Sequence, residues 1–154
     1  MKRFLIMLIT LFLLGGCTHI ISEKARMQAD HSVTFRSLQE NPDAFKGKFV
    51  LLGGLITGIK QVPEGFQLEV IEYRLDSEEM PDTSARSDGR FLVILPPDVG
   101  PATFRPGMLI SVAGEVTGKA VKPLERTEYT YPVLVVKEIH IIGIPPGRRP
   151  MGGY

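Results

Sequence analysis

The stretch FVLLGGLITGI (residues 49–59), the turn Pro63-Glu64-Gly65 and the stretch FQLEV (residues 66–70) together decide the fold. The first stretch is rich in aliphatic side chains, yet it carries Gly53-Gly54 in its middle. Paired glycines inside a strand mark a bulge or a sharp bend, the device by which barrels turn corners. In the second stretch Phe66, Leu68 and Val70 alternate with Gln67 and Glu69, a period of two that separates an inner face from an outer one. The Pro-Glu-Gly turn joins the two runs into a bent β-hairpin.

Three more strands follow this hairpin. Residues 76–88 (DSEEMPDTSARSD) are a polar loop and the best candidate for a mobile insertion. Gly89 to Leu95 is a third strand, stopped by Pro96-Pro97, and residues 98–107 are a short connector. Met108 to Thr117 is a fourth strand, with Ile110, Val112, Gly114 and Val116 on one face. Residues 118–130 are polar and read as a loop. Pro132 then precedes a fifth strand, Val133 to Ile144, at a position where proline is tolerated.

Ahead of the hairpin, Ser32 to Lys48 reads as helix then turn, with Phe35, Leu38 and Phe45 available to a core. Pro42 suits a first helical position and Gly47 stops the segment. The expected fold is therefore mainly β: a small five-stranded, OB-like, curled antiparallel barrel with a short N-terminal helix. Closure into a barrel leaves few exposed edges. A β-sandwich is the alternative.

A length of 154 residues suggests one domain, and apolar and charged contents of 44% and 23% are those of a globular chain. The 16 glycines and 12 prolines exceed average usage and fit a turn-rich β-protein. The net charge is +1, and loss of a leader holding Lys2 and Arg3 takes it to −1. A domain so close to neutral lacks the basic footprint of a nucleic-acid binder, so no nucleic-acid partner is expected.

The first 16 residues have the parts of a signal peptide. Lys2 and Arg3 are followed by an apolar run from Phe4 to Leu14, too short to span a bilayer and right for a cleavable signal. That run leads into Leu14-Gly15-Gly16-Cys17, which resembles a bacterial lipobox. Small residues let a peptidase approach the backbone, and the thiol is the nucleophile that accepts a diacylglyceryl group. Acyl chains contribute about 0.8 kcal/mol per buried methylene, so several on one residue make a lasting membrane anchor. Cys17 is the only cysteine, so no disulfide competes for it. Thr18 at the next position is not the aspartate that would imply inner-membrane retention, which favours the outer membrane. The expected division is a signal peptide (1–16), a lipid-anchored tether (17–32), a β-domain (33–144) and a disordered Pro/Gly-rich tail (145–154).

Chemistry-bearing constellations are scarce. His19 and His31 fall in the tether and His140 in a strand, with no spacing of the HxH or HExxH kind, so no metal and no cofactor is expected. There is no G-x-S-x-G elbow, Walker loop or GxGxxG. Glu69 and Glu72, three apart on a strand, point to opposite faces and cannot act as a glycosidase pair. The acidic loop residues Glu78, Glu79, Asp82 and Asp88 read as solvated. Tyr129 and Tyr131 would share one face if extended, and form the candidate binding surface: they can stack on a sugar or peptide, or cap the barrel.

The segments NPDAFKGKFVLLGGLI, FQLEVIEYRLD, GRFLVIL, FRPGMLISVAGEVTG and YTYPVLVV, in this order behind a lipobox, resemble the Slp family of outer-membrane lipoproteins over roughly residues 32–144. The chain departs from that pattern in having no aromatic near Leu52, no late tryptophan, and a more polar 76–88 loop. The resemblance implies an anchored envelope protein with a small β-domain, of a type induced in starvation, and no enzymatic chemistry. The expected role is interaction or envelope maintenance at the periplasmic face of the outer membrane. Expected partners are the membrane through the lipid, and other envelope proteins or peptidoglycan. A small-ligand-binding lipoprotein is the alternative.

Overall fold

A computed structural model describes residue 16 and residues 18–147. Leu14, Gly15 and Cys17 of the lipobox, and residues 148–154 of the tail, lie outside the described residues. The elements are α1 (Glu23–Gln28), α2 (Phe35–Glu40), a 3-10 turn (Pro42–Phe45), β1 (Phe49–Val62), β2 (Gly65–Glu72), β3 (Arg90–Leu95), a second 3-10 turn (Pro101–Thr103), β4 (Leu109–Leu124) and β5 (Thr127–Gly143).

The strands form a closed barrel in the order β1-β2-β3-β5-β4, the OB topology. All pairings are antiparallel except β3 with β5, which meet in parallel through Leu92↔Val133, Val93↔Leu134 and Ile94↔Val135. The expected sheet was wholly antiparallel, and this short parallel seam is what closes it. Strand β1 serves two neighbours: its first half pairs with β4 and its second with β2. Gly54 stands where both pairings overlap, opposite Glu72 and Ile110. A side chain there would overlap the Ile71 carbonyl oxygen, so only glycine lets the strands approach this closely.

Inside, Val50, Leu52 and Ile56 of β1 meet Leu68 and Val70 of β2, Phe91, Val93 and Leu95 of β3, and Leu134 of β5. Helix α2 adds Phe35 and Leu38, and Phe35 packs tilted on Phe91 with ring centroids 6.1 Å apart. Burying each such side chain stabilises the fold by roughly 1.5–3 kcal/mol. Helix α2 begins with a capping box: Thr34 Oγ1 accepts from the Ser37 amide at 3.1 Å, and Ser37 Oγ accepts from the Thr34 amide at 3.2 Å.

Two further sequence expectations change. Residues 118–130 are not a loop. Strands β4 and β5 run on as a two-stranded arm to a tight turn at Glu125-Arg126, where Glu125 adopts φ 57°. The polar 76–88 loop is also ordered by its own short side chains. Asp76 Oδ1 accepts from the amides of Glu78 (2.8 Å) and Met80 (3.0 Å), and Asp82 Oδ1 accepts from the Ser84 amide at 2.9 Å.

Candidate functional site

Three features bear on function: the N-terminal segment behind Cys17, a cleft beside it, and the underside of the β4–β5 arm.

Residues 18–32 are not a free tether. Ile21 is 1% exposed, packed into the domain. The Ile20 amide donates to the Glu78 carbonyl at 3.4 Å, and the Asp30 amide donates to the Phe49 carbonyl at 2.8 Å. Ser22 donates to Glu138 twice, from its amide to Oε1 at 2.8 Å and from its hydroxyl to Oε2 at 2.5 Å, and its Oγ also caps α1. His19 Nδ1 lies 3.2 Å from both carboxylate oxygens of Glu79. Glu79 sits at φ 60° and is 8% exposed. Its carbonyl accepts from the Ser111 hydroxyl of β4 at 2.5 Å, and its carboxylate stands 3.9 Å from Arg26 Nε. Lys48 Nζ reaches Asp30 Oδ2 at 3.1 Å. The Ser32 hydroxyl bond first, and Lys48 second, lower the Asp30 pKa to about 2. Burial alone would raise the Glu138 carboxyl, but the two Ser22 bonds and His140, 2.7 Å away, hold it below its ordinary value.

The cleft between this segment and the end of β2 has a volume of about 630 Å³, within the range of small-molecule pockets. Its lining includes Asp30, Phe35, Leu52, Glu72, Tyr73 and Glu79. Glu72 is buried, and burial raises its pKa above the ordinary carboxyl value despite a hydrogen bond from the Asp88 amide to Oε2 at 3.2 Å. A carboxyl perturbed by burial within a cleft is a recognised mark of a binding or catalytic position. The burial of Glu72 has no local signal in the sequence, because the contact from Asp88 comes from 16 residues further along the chain. Glu69 and Glu72 do face oppositely, as their spacing implies: Glu69 Oε1 bonds Arg90 Nη1 outside the barrel at 2.7 Å.

Tyr129 and Tyr131 do share a side and meet edge to face, with centroids 4.7 Å apart. They are committed to the protein. Tyr131 is only 2% exposed, covered where the arm folds back over β2 and β3, and its hydroxyl lies 3.4 Å from Glu69 Oε1. The Tyr129 hydroxyl accepts from the Arg90 amide at 2.9 Å and from Gln39 Nε2 of α2. The pair therefore ties the arm to β3 and α2. Beside it a smaller groove of about 200 Å³ is lined by Gly58, Ile59, Lys60, Gln67, Glu69 and Lys122. Burial, and then the Lys60 ammonium alongside, hold the Lys122 amine below its ordinary pKa.

The three histidines stay apart: His31 Nε2 lies 2.9 Å from the Arg26 carbonyl oxygen, while His19 and His140 meet Glu79 and Glu138. Among the described residues no three His, Cys, Asp or Glu side chains gather as metal donors.

A closed five-stranded OB-type barrel with an N-terminal segment docked on it is the class of module that the fold defines. Its sequence matches the model of the outer membrane lipoprotein Slp family over residues 14–142, and the chain belongs to that family. A curated relative, an uncharacterized protein of Haemophilus influenzae, is 30% identical over 95 residues, covering 61% of this chain and 51% of that one. The chain thus spans about half the length of that relative. Among solved structures, a mitochondrial single-stranded DNA binding protein of S. cerevisiae superposes with a TM-score of 0.41 at 16% identity, covering 66% of this chain and 98% of that one. A small single-stranded DNA-binding protein of Streptomyces coelicolor gives 0.39 at 16%, covering 60% and 92%. The OB topology stands on the strand order described above.

Proposed function

We propose that the chain is exported by residues 1–16, acylated on Cys17 and held at the periplasmic face of the outer membrane. There its barrel serves as a non-catalytic module for interaction or envelope maintenance, in starvation or stress. The observation that carries this reading is the place of Cys17. The only cysteine of the chain stands directly behind Leu14-Gly15-Gly16, two residues before the docked His19. The partner class is another envelope protein or peptidoglycan, and the β4–β5 arm is the extended element available to meet it. The experiment is photocrosslinking from intact envelopes, using Val121→Cys on the exposed edge of the arm in a chain whose own thiol is consumed by lipid. The expected result is one defined adduct with an envelope protein or with peptidoglycan. A chain that yields no adduct from any arm position contradicts the role.

The cleft favours a second reading, a small-ligand binder, since Glu72 offers a sheltered carboxyl to an amine or other hydrogen-bond donor. A ligand at 100 times its Kd would add about 2.7 kcal/mol of stability. In thermal-shift screening that gain should vanish in Glu72→Ala, and no shift across a broad panel of amines would sink the reading.

A further inference from the structure

The β4–β5 arm turns one side toward the barrel, and that side carries more than the tyrosine pair. Residues opposite each other on paired strands share a side. Lys122 of β4 stands opposite Tyr129 of β5, and Ala120 opposite Tyr131, so Lys122 lies on the side of the two tyrosines. On the barrel, Lys60 of β1 stands opposite Gln67 of β2, and two residues along the same side Gly58 stands opposite Glu69. Glu69 meets Tyr131 there, which makes this the outer face that the arm covers. Lys60, Gln67, Glu69 and Lys122 line the groove of about 200 Å³ left between arm and barrel.

Two features of this groove are unanswered by the protein. The Lys60 and Lys122 amines stand side by side, and the ion pairs of the described residues engage Lys46, Lys48, Lys119 and Lys137 but neither of these two. The carboxylate lining the groove, Glu69, is already joined to Arg90 at 2.7 Å. Like charges in contact repel each other, and an anion between them turns both interactions favourable. The second feature is Gln67, which lies on the outer face and is nonetheless only 8% exposed. The hydrogen bonds around it run between Glu69, Arg90, Tyr129 and Tyr131, and its side-chain amide has no partner among the described residues. Buried polar groups nearly always have one, so an exception calls for a cause. The amide is not sealed off either. Among the described residues, Arg26 Nε is the side-chain polar atom fully buried without a partner, so the Gln67 amide keeps access to the groove it lines.

An amide side chain offers a donor and an acceptor together, the complement of another amide. The groove is smaller than the roughly 300 Å³ at which pockets enclose a whole small molecule, and suits one end group of a larger one. We propose that this groove binds a carboxylate carried next to an amide, as a peptide presents it, with the carboxylate between Lys60 and Lys122 and the amide against Gln67. The proposal rests on the reading of the barrel as an interaction module, and names the chemistry that one face of it accepts.

The test is nuclear magnetic resonance titration of the isotope-labelled mature protein in detergent. The probes are N-acetylglycine, its uncharged relative N-acetylglycinamide, and inorganic phosphate. N-acetylglycine is expected to move the Gln67 side-chain amide signals and to bind more tightly than either of the others. Lys60→Gln and Lys122→Gln should each weaken it about tenfold or more, as loss of a charged hydrogen-bond donor implies. Gln67→Met should reduce N-acetylglycine to the affinity of phosphate, and Lys137→Gln, away from the groove, should leave it unchanged. The spectra themselves show that each variant is folded. No movement of groove signals, equal affinity in wild type and Lys60→Gln, or phosphate binding as tightly as N-acetylglycine in wild type overturns the proposal. If an arm adduct still forms in intact envelopes, such a result leaves the interaction module standing, and specific binding without any adduct removes the module's envelope role but not the groove.

Discussion

Ser22 and Glu138 are 116 residues apart in sequence and joined by two hydrogen bonds, at 2.8 Å from the Ser22 amide and 2.5 Å from its hydroxyl. The bonds staple the segment behind Cys17 to β5, and the same Ser22 oxygen caps α1. Replacing Ser22 by alanine removes a cap and a hydrogen bond to a carboxylate together. Ser22→Ala should cost about 1–2 kcal/mol in urea unfolding. Protease cleavage at Lys24 and Arg26 should rise more than cleavage elsewhere. An unchanged cleavage pattern would mean that the staple does not hold the segment.

Ile21 offers the complementary test. A free tether tolerates Ile21→Ala without cost, whereas a side chain this buried loses transfer energy and leaves a cavity. The expected loss is about 2–4 kcal/mol, read as a lower urea midpoint at unchanged slope.

Gly54 and Gly58 lie four apart in β1 and should behave oppositely. A methyl at Gly54 runs into the Ile71 carbonyl, while one at Gly58 meets only Glu69 Cβ at 3.9 Å. Gly54→Ala should cost about 3 kcal/mol or prevent folding, and Gly58→Ala should stay within about 1 kcal/mol of wild type. Comparable stability of the two would contradict the strand crossing described above.

The docked segment should loosen in acid. Asp30 has its folded pKa lowered to about 2 by Ser32 and then Lys48. Glu138 is also lowered, since the Ser22 and His140 bonds outweigh its burial. A depressed acid adds stability that is present above its unfolded pKa, near 4, and lost as pH falls through the folded value. Hydrogen exchange at residues 19–30 should therefore accelerate between about pH 4 and about pH 2, ahead of the barrel. Glu72 acts in the opposite sense. Its raised pKa favours the fold below the unfolded value, and that help is lost as pH rises through the folded one. Glu72→Gln should accordingly be more stable than wild type at pH 7 and show a flatter profile in mild acid.

Tyr129 tests the seam that joins arm, β3 and α2. Tyr129→Phe leaves the Arg90 amide without its acceptor and should cost about 1–2 kcal/mol. No change would place the arm's attachment elsewhere.

The first three strands were legible because Gly, Pro and polar turns punctuate them and because Leu68 and Val70 alternate with outward residues. Strand β3 is a continuous apolar run because Leu92, on its outer side, is buried like its inner residues. The arm was not legible. Its residues 119–130 are mostly exposed or half-exposed on both faces, and Pro123 breaks the pattern, so no buried stripe distinguishes them from a loop. The docked segment was missed for a related reason: helix α1 has six residues and buries none of them, and a single buried side chain just ahead of it, Ile21, carries no pattern. Glu72 and Glu79 gain their burial from residues distant in sequence. The shared side of Tyr129 and Tyr131 followed from spacing alone, but their depth depends on where the arm folds.

The most direct test of an anchored barrel is metabolic labelling with radioactive palmitate, comparing wild type with Cys17→Ser. Wild type is expected to carry label and to fractionate with outer membrane, and Cys17→Ser to carry none and to appear as a soluble or unprocessed form. A processed Cys17→Ser chain that still fractionates with the outer membrane would contradict lipid as the anchor.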